Sequence, residues 1–367
     1  MKNVLLLVLL SLSIATFATN SPKQNSIKVA LLLDTSNSMD GLINQAKAQL
    51  WEIVNELSKM KCNEENPNLQ IALYEYGNSD ISVLKGYIRQ VTDFSNDLDL
   101  ISEKLFSLDT NGGHEYCGEV IMTSLKDLKW GNNKNDLKLI FIAGNEPFTQ
   151  GEVNYKDAAT QANEQDVTVN TIFCGDYNSG ISGKWKAGAD LTGGDYMVIN
   201  HNDRIVHIAT PYDDIIIKLN RQLNDTYIYY GKEGSNKRML QRKQDENAAE
   251  MDEVVIVKRA VSKSGRLYNN ASWDLVDAEN DKGFSYKSLD KKSLPKELQN
   301  KSTEEIKTYV AEQRKKRADI KKAIQSYNKK RDAYVAKQHI KNANKNSLEN
   351  VLLKTVRKQA KAKNYEW

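Results

Sequence analysis

The sequence predicts an α/β fold: a doubly wound, mostly parallel sheet with one antiparallel edge strand, followed by an α-helical C-terminal region. Three observations lead there. Between about residues 26 and 230, short apolar runs with β-branched members alternate with segments of helical periodicity. One link between two of the strands, "GNSD", is too short to hold a crossover helix, so that pair must be a hairpin on the sheet edge. Beyond residue 290 the pattern becomes basic and helical.

The elements follow in order. "IKVALLLD" is a continuous apolar run, the mark of a strand buried on both faces. Met39 to Leu57 then places Ile43, Ala46, Leu50, Ile53, Val54 and Leu57 at helical spacing. "LQIALYEYG" and "ISVLKGYIRQV" form the hairpin, and helices are predicted over Ser95 to Phe106 and Gly118 to Leu128. "DLKLIFIAG" and "VTVNTIFCG" are buried strands flanking the helix "YKDAATQANEQ". A Gly-rich segment leads into a last strand, "DYMVIN", and the helix "YDDIIIKLNRQLNDTYIYY" closes the unit near residue 230. Residues 231–289 read as a linker and packing segment carrying Trp273. Thr303 to Gln338 carries a narrow seam of Ile306, Val310, Ile320, Ile324, Tyr327 and Tyr334, and a second basic helix starts at Ser347. Residues 290–367 therefore read as a basic helical hairpin or coiled coil.

The first 19 residues combine a Lys, an apolar stretch from Val4 to Leu12 and small residues at Ala15 and Ala18. That is the layout of a secretory signal peptide, and its apolar core is too short to span a bilayer. The expectation is a secreted or periplasmic protein with no integral span after signal removal. Charge is divided unevenly: residues 290–363 hold 22 Lys and Arg against 8 Asp and Glu, a surplus of +14, so with +4 overall the remainder is net −10. In an exported protein such a tail points to an anionic surface, an acidic protein or the chain's own acidic part rather than to nucleic acid. Self-association through these helices is the structural use the seam suggests. The four histidines, at 114, 201, 207 and 339, are scattered, and no G-x-S-x-G, H-E-x-x-H or phosphate-binding Gly loop occurs, so no enzymatic activity is expected.

Asp34, Ser36 and Ser38 carry the chemistry. They sit where a buried strand surfaces and turns into a helix, and parallel sheets place their sites at strand carboxyl ends. Alternate loop positions aim one carboxylate and two hydroxyls at one point, which suits a hard cation such as Mg²⁺ or Mn²⁺; the same residues also suit a helix N-cap.

"VALLLDTSNSM" followed by a long helix resembles the start of a von Willebrand factor type A domain, whose metal ion-dependent adhesion site begins D-x-S-x-S. The likeness covers residues 26 to 230 and includes the edge hairpin, a "TNGG" loop before a helix, "LKLIFIAG", "VTVNTIFCG" and a late "LTGGDYMVI". It implies a protein-binding or adhesion role in which an acidic partner residue completes the metal's coordination. Carried over by position, the first ligand loop is Asp34, Ser36 and Ser38, and the second supplies Thr110, which precedes its Gly pair where the family's Thr follows. Where the family has Asp after the fourth strand, this chain has Gly144, leaving Glu115 and Glu146 as replacement carboxylates. The class-different alternative is a metal-free scaffold that interacts through its C-terminal helices. Cys117 and Cys174 both fall on the strand-end rim and Cys62 at the far end, so a Cys117–Cys174 disulfide with Cys62 left over is expected.

Overall fold

The structure, a computed structural model, describes residues 24–62, 64–199, 208–342 and 348–367. The proposed signal peptide lies outside them. Six strands form the main sheet in the order β4-β3-β1-β5-β6-β7. They are β1 (Ser26–Asp34), β3 (Asn68–Tyr76), β4 (Ile88–Ser95), β5 (Leu137–Gly144), β6 (Thr168–Cys174) and β7 (Tyr196–Ile199). All neighbours are parallel except β3 and β4, the antiparallel edge pair. A two-stranded antiparallel ribbon, β2 (Lys61–Cys62) with β8 (Tyr365–Glu366), ties the segment after the first long helix to residues 365–366.

Strand alternation separates two cores. Ile27, Val29, Leu31 and Leu33 of β1 face one side, and Ala30 and Leu32 face the other. The second side is covered by α3 (Cys117–Asp127), α4 (Tyr155–Glu164) and α6 (Trp185–Asp190), which follows the one-turn α5 (Tyr177–Ser182). The first is covered by α1 (Asp40–Leu57), α2 (Leu98–Phe106) and α7 (Asp213–Asn224), then by a second layer of α8 (Gly234–Met251) and α9 (Glu253–Ser264). The edge strand begins at Ile88 rather than Ile81, because residues 82–87 close a turn in which Gly86 and Tyr87 take φ of 63° and 56°. That left-handed geometry breaks the ladder.

The C-terminal region is not a separate hairpin or coiled coil. After α10 (Leu275–Ala278) and α11 (Lys296–Gln299), α12 (Thr303–Asn342) packs on α7, α9 and α10, while α13 (Leu348–Ala362) packs on α1, β7 and β8. Ile306 and Val310 enter a small satellite core with Ile228, Leu275 and Leu298. Ile320, Ile324, Leu352, Val356 and Tyr365 enter the main one. The linker segment belongs to the same body, since Val255, Val257 and Trp273 lie in that main core.

Charge explains the docking. Arg357 binds Glu56 at 2.5 Å, Lys358 binds Asp195 at 2.6 Å, Lys363 binds Asp166 at 2.5 Å and Arg331 binds Asp213 at 2.9 Å. Arg317 bridges Asp274 and Asp277 at 2.6 and 2.9 Å with its guanidinium 4.0 Å from the Tyr227 ring centroid. The basic tail is thus paired in part with the acidic remainder of its own chain. Beneath it, Arg259 is wholly buried and donates to Asp245 at 2.6 Å and Asp99 at 2.8 Å, while Lys263 donates to Asp245 at 2.7 Å. A buried ion cluster of this kind is stable only when every member is paired, and it locks α2, α8 and α9 in one register.

Candidate functional site

Parallel strands deliver their last residues to one edge of the sheet, and here that edge gathers the chemistry. Asp34 ends β1 opposite Tyr76 at the end of β3, and Gly144 ends β5 on its other side, one residue beyond the Leu33–Ala143 pair. Asp34 has 0% exposure. Its Oδ1 accepts the Ser36 N–H at 2.7 Å, while its Oδ2 is buried with no hydrogen-bond donor.

Glu115 arrives from the loop before α3 and is 4% exposed. Two bonds fix it: its N–H donates to Gln150 Oε1 at 2.6 Å, and its Oε2 accepts the Glu146 N–H at 3.3 Å. Gly77 is the shared floor. It takes φ of 79°, and a Cβ there would lie 2.8 Å from Asp34 Oδ1 and 3.0 Å from Glu115 Cγ, so only glycine admits both carboxylates. Gly144 closes the other side, where a Cβ would stand 2.6 Å from the Tyr76 hydroxyl and 3.1 Å from Asp34 Oδ2. The loop preceding Glu115 is tied down as well, with the Asn111 N–H donating to Thr35 O at 2.9 Å.

Burial pushes the Asp34 carboxyl well above its ordinary range, and the adjacent Glu115 carboxylate pushes it further, against the opposing pull of Ser36. Two buried carboxylates in this relation share either a proton or a cation. The Tyr76 hydroxyl donates to Ala143 O at 2.9 Å, which prevents it from relieving Asp34. The donor set of Asp34, Ser36 and Glu115 is all oxygen, as Mg²⁺ or Mn²⁺ requires, and the orphaned Oδ2 is an acceptor for such an ion to satisfy. Among the described residues no group of three or more His, Cys, Asp or Glu side chains could hold a metal, so the fit rests on two carboxylates and hydroxyl oxygen.

The structure therefore brings together Asp34, Ser36 and Glu115. The Ser38 side chain lies outside the described ones. Thr110 is half-buried and sits one residue before Asn111. Glu146 is exposed and serves through its backbone, donating to Glu115 and accepting the Trp185 Nε1–H at 2.7 Å. His114 is exposed and packs between Tyr87 and Tyr116, with ring centroids 5.7 and 5.9 Å away.

The expected Cys117–Cys174 disulfide is corrected: all three cysteines are free and buried. Both rim thiols do flank the site, but Cys117 belongs to the core on one face of the sheet and Cys174 to the core on the other. Being on one rim did not make them neighbours, because a sheet stands between them. Burial raises both thiols, and the charges of Asp34 and Glu115 raise them further, so they stay protonated and unreactive. Residues that sequence reasoning passed over are Tyr76, Gly77, Gln150 and Trp185. The signal available was the "YG" that ends the second long strand, since a glycine at a strand end next to an aspartate-bearing neighbour marks close approach.

No family model and no curated protein matches the chain. Solved structures do. In fold the chain is similar to von Willebrand factor type A domains. The SpRpn10 VWA domain shares 14% identity over 49% of this chain and 91% of its own, with a TM-score of 0.38. A conserved hypothetical protein, BatB, from Bacteroides thetaiotaomicron shares 16% over 47% of this chain and 90% of its own, with a TM-score of 0.36. Proximal thread matrix protein 1 from the mussel byssus, with a zinc-occupied MIDAS motif, shares 12% over 49% of this chain but only 43% of its own, with a TM-score of 0.34. At such overlaps the fold reading stands on strand order and register, not on these likenesses.

Proposed function

We propose that this is an exported binding protein that grips a protein partner at the carboxyl-end rim of its sheet, through a divalent cation held by Asp34, Ser36 and Glu115, with Ser38 as a further ligand. The observation that carries the reading is the buried, donorless Asp34 Oδ2 beside a second buried carboxylate. Mg²⁺ or Mn²⁺ there would supply a coordination position for a partner carboxylate. The chain's own residues present that position, orient it through the fixed loop at Glu115, and exclude bulk by means of Gly77 and Gly144.

The rim around the site also supports docking. Val83 and Leu84 are 61% and 94% exposed on the strained turn between β3 and β4, and Tyr177 and Ile181 are 53% and 37% exposed on α5. These apolar side chains flank the site from both sides, the arrangement of an interface with a polar centre. Nothing in the arrangement supplies a nucleophile with a base and an oxyanion hole, so a binding role is favoured over catalysis. Export rests on the first 19 residues, and among the described residues no helix is long and apolar enough to cross a membrane. Self-association through the C-terminal helices is disfavoured because their apolar seam is used within the chain.

Calorimetric titration of Mn²⁺ and Mg²⁺ into the mature protein tests the site, with Asp34→Ala and Glu115→Gln beside it. Saturable heat lost in both variants is the expected result; no heat from the unsubstituted protein, in either metal, overturns the reading in favour of a metal-free scaffold.

A further inference from the structure

Every arginine beyond residue 290 is paired inside the chain. Arg314 binds Glu279 at 2.8 Å, and Arg317, Arg331 and Arg357 hold Asp274, Asp213 and Glu56. The lysines of α12 are used differently. Between residues 315 and 337 the exposed charges are Lys315, Lys316, Lys322, Lys329, Lys330 and Lys337 against Asp319 and Asp332. Lys330 lies 5.0 Å from the Tyr327 ring centroid, and among the described residues none of the six is in an ion pair.

Helical geometry gathers these charges on one side. At about 100° per residue, Lys315, Lys322, Lys329, Lys330 and Lys337 fall within about 60° of a single line along the axis. The buried Ile320, Ile324 and Arg331 fall on the opposite side, against the body of the protein. Asp319 shares the lysine side, whereas Asp332 lies off it and accepts the Asn328 amide at 3.2 Å. Lys315 to Lys337 spans about 33 Å at about 1.5 Å per residue, so a lysine recurs near every second turn. Cations that the acidic remainder of the chain leaves unmatched therefore form a straight stripe.

Shape narrows what can meet it. The exposed residues between these charges are Ala318, Ser326, Ala333 and Ala336, which leaves a convex ridge with no exposed aromatic on which a base could stack. A ridge of this kind meets a plane of anions along its whole length, where a polymer strand would need a groove. Lysine is a strongly hydrated point charge, suited to diffuse attraction rather than to the forked recognition arginine gives. Nothing larger than alanine is exposed between the lysines to enter acyl chains, so contact with such a plane is electrostatic and peripheral.

We infer that α12 docks this protein on an anionic phospholipid surface, with the stripe of Lys315, Lys322, Lys329, Lys330 and Lys337 lying along the headgroups. The inference does not depend on the strand-end reading, since none of these residues is at the rim.

Co-sedimentation of the full mature chain with vesicles tests it. Binding is expected to phosphatidylcholine vesicles carrying about 30% phosphatidylglycerol at about 50 mM salt, with loss in about 0.5 M salt and none to phosphatidylcholine alone. A lysine at such a surface is worth about fivefold in partitioning, so Lys315→Gln, Lys322→Gln and Lys329→Gln together should weaken binding about a hundredfold, while Arg at the same three positions preserves it. The three side chains are exposed and Gln matches Lys as a helix former, so the fold is retained. The control replaces Lys126, Lys156 and Lys232 by Gln; these are exposed, lie off α12 and lower the net charge equally, and most of the binding should survive their loss. The inference is overturned if the unsubstituted chain does not sediment with the anionic vesicles, or if the control triple weakens binding as much as the stripe triple. It is equally overturned if dextran sulfate binds the chain and the vesicles do not, which would make the partner a soluble polyanion.

Discussion

Replacing Asp34 with Asn should stabilise the metal-free protein and make it indifferent to divalent cations. Asp34 is wholly buried, one of its oxygens lacks a donor, and the group beside it is another carboxylate. An unmet buried acceptor costs about 1–3 kcal/mol, and a second buried carboxylate beside it adds to that. Asparagine keeps the Oδ1 that accepts from Ser36 and removes the negative charge that Asp34 places beside Glu115. A net gain of about 1–2 kcal/mol follows, the upper part of what stabilising single substitutions give. Chemical denaturation in EDTA measures it directly. The second arm is ligand linkage: a cation at a hundred times its dissociation constant stabilises the unsubstituted protein by about 2.7 kcal/mol, and Asp34→Asn by none. Two results would refute the reasoning. If Asp34→Asn is less stable than the unsubstituted protein in EDTA, the aspartate is a structural cap and not a strained ligand. If both proteins gain equally from Mn²⁺, the ion binds elsewhere.

Three further outcomes are expected. Gly144→Asp, which places a carboxylate where the resemblance to von Willebrand factor type A domains leads one to expect it, should destabilise by about 3 kcal/mol in urea melts and not tighten Mn²⁺ binding, because its Cβ would stand 2.6 Å from a Tyr76 hydroxyl anchored to Ala143; tighter Mn²⁺ binding without loss of stability would contradict the crowding. The ion cluster should leave a pH signature. Burial draws Lys263 down from 10.5 to about 8, so between those values the unfolded chain binds more protons than the fold and stability rises with pH, by up to about 3 kcal/mol, a slope that Lys263→Met should abolish in denaturation at pH 8 to 10. Asp245 works in the opposite range: its neighbours Lys263 and Arg259 hold its carboxyl below the usual 3.8, so its contribution is present above that pH and lost on further acidification. Finally, truncation at Gly231 should yield an aggregating or dye-binding product rather than a folded domain, since it strips Val255, Val257, Trp273, Leu352 and Val356 from the main core, at about 1.5–3 kcal/mol for each side chain; a cooperative melt and unchanged near-UV circular dichroism would show the domain to be autonomous.

The sheet was legible because its signals are local. "IKVALLLD" and "LKLIFIAG" read as strands buried on two faces, and the antiparallel edge was legible although its link runs over residues 77–87 rather than over "GNSD" alone. What misled was any inference that needed two distant elements to be placed relative to each other. Cys117 and Cys174 were correctly put on one rim, but which face of the sheet each points to depends on where one helix begins, and the register of a single residue decides it. The tail failed for a similar reason. A narrow apolar seam on a basic helix is equally consistent with a partner helix and with an acidic body, and only the structure shows Ile320 and Ile324 in the main core beside Asp213 and Glu56 as counter-charges.

The site itself was half legible, and the missing half has a steric origin. A motif reading looks for the absent aspartate at the end of β5, and Gly144 there suggests a weakened site. The same glycine, however, is the only residue that fits beside the Tyr76 hydroxyl and Asp34 Oδ2, and Gly77 is what lets Glu115 approach from the α3 side. With Tyr76 filling the space at the end of β3, a carboxylate at position 144 would collide, whereas one at position 115 is admitted and fixed by Gln150 and the Glu146 backbone. The glycine at 144 and the buried acid at 115 are therefore two sides of one packing arrangement. A chain with both Tyr76 and an aspartate at 144 would have to give up either the buried hydroxyl or the β5 strand end, and this coupling, more than the count of acidic residues, determines which carboxylates can face a cation here.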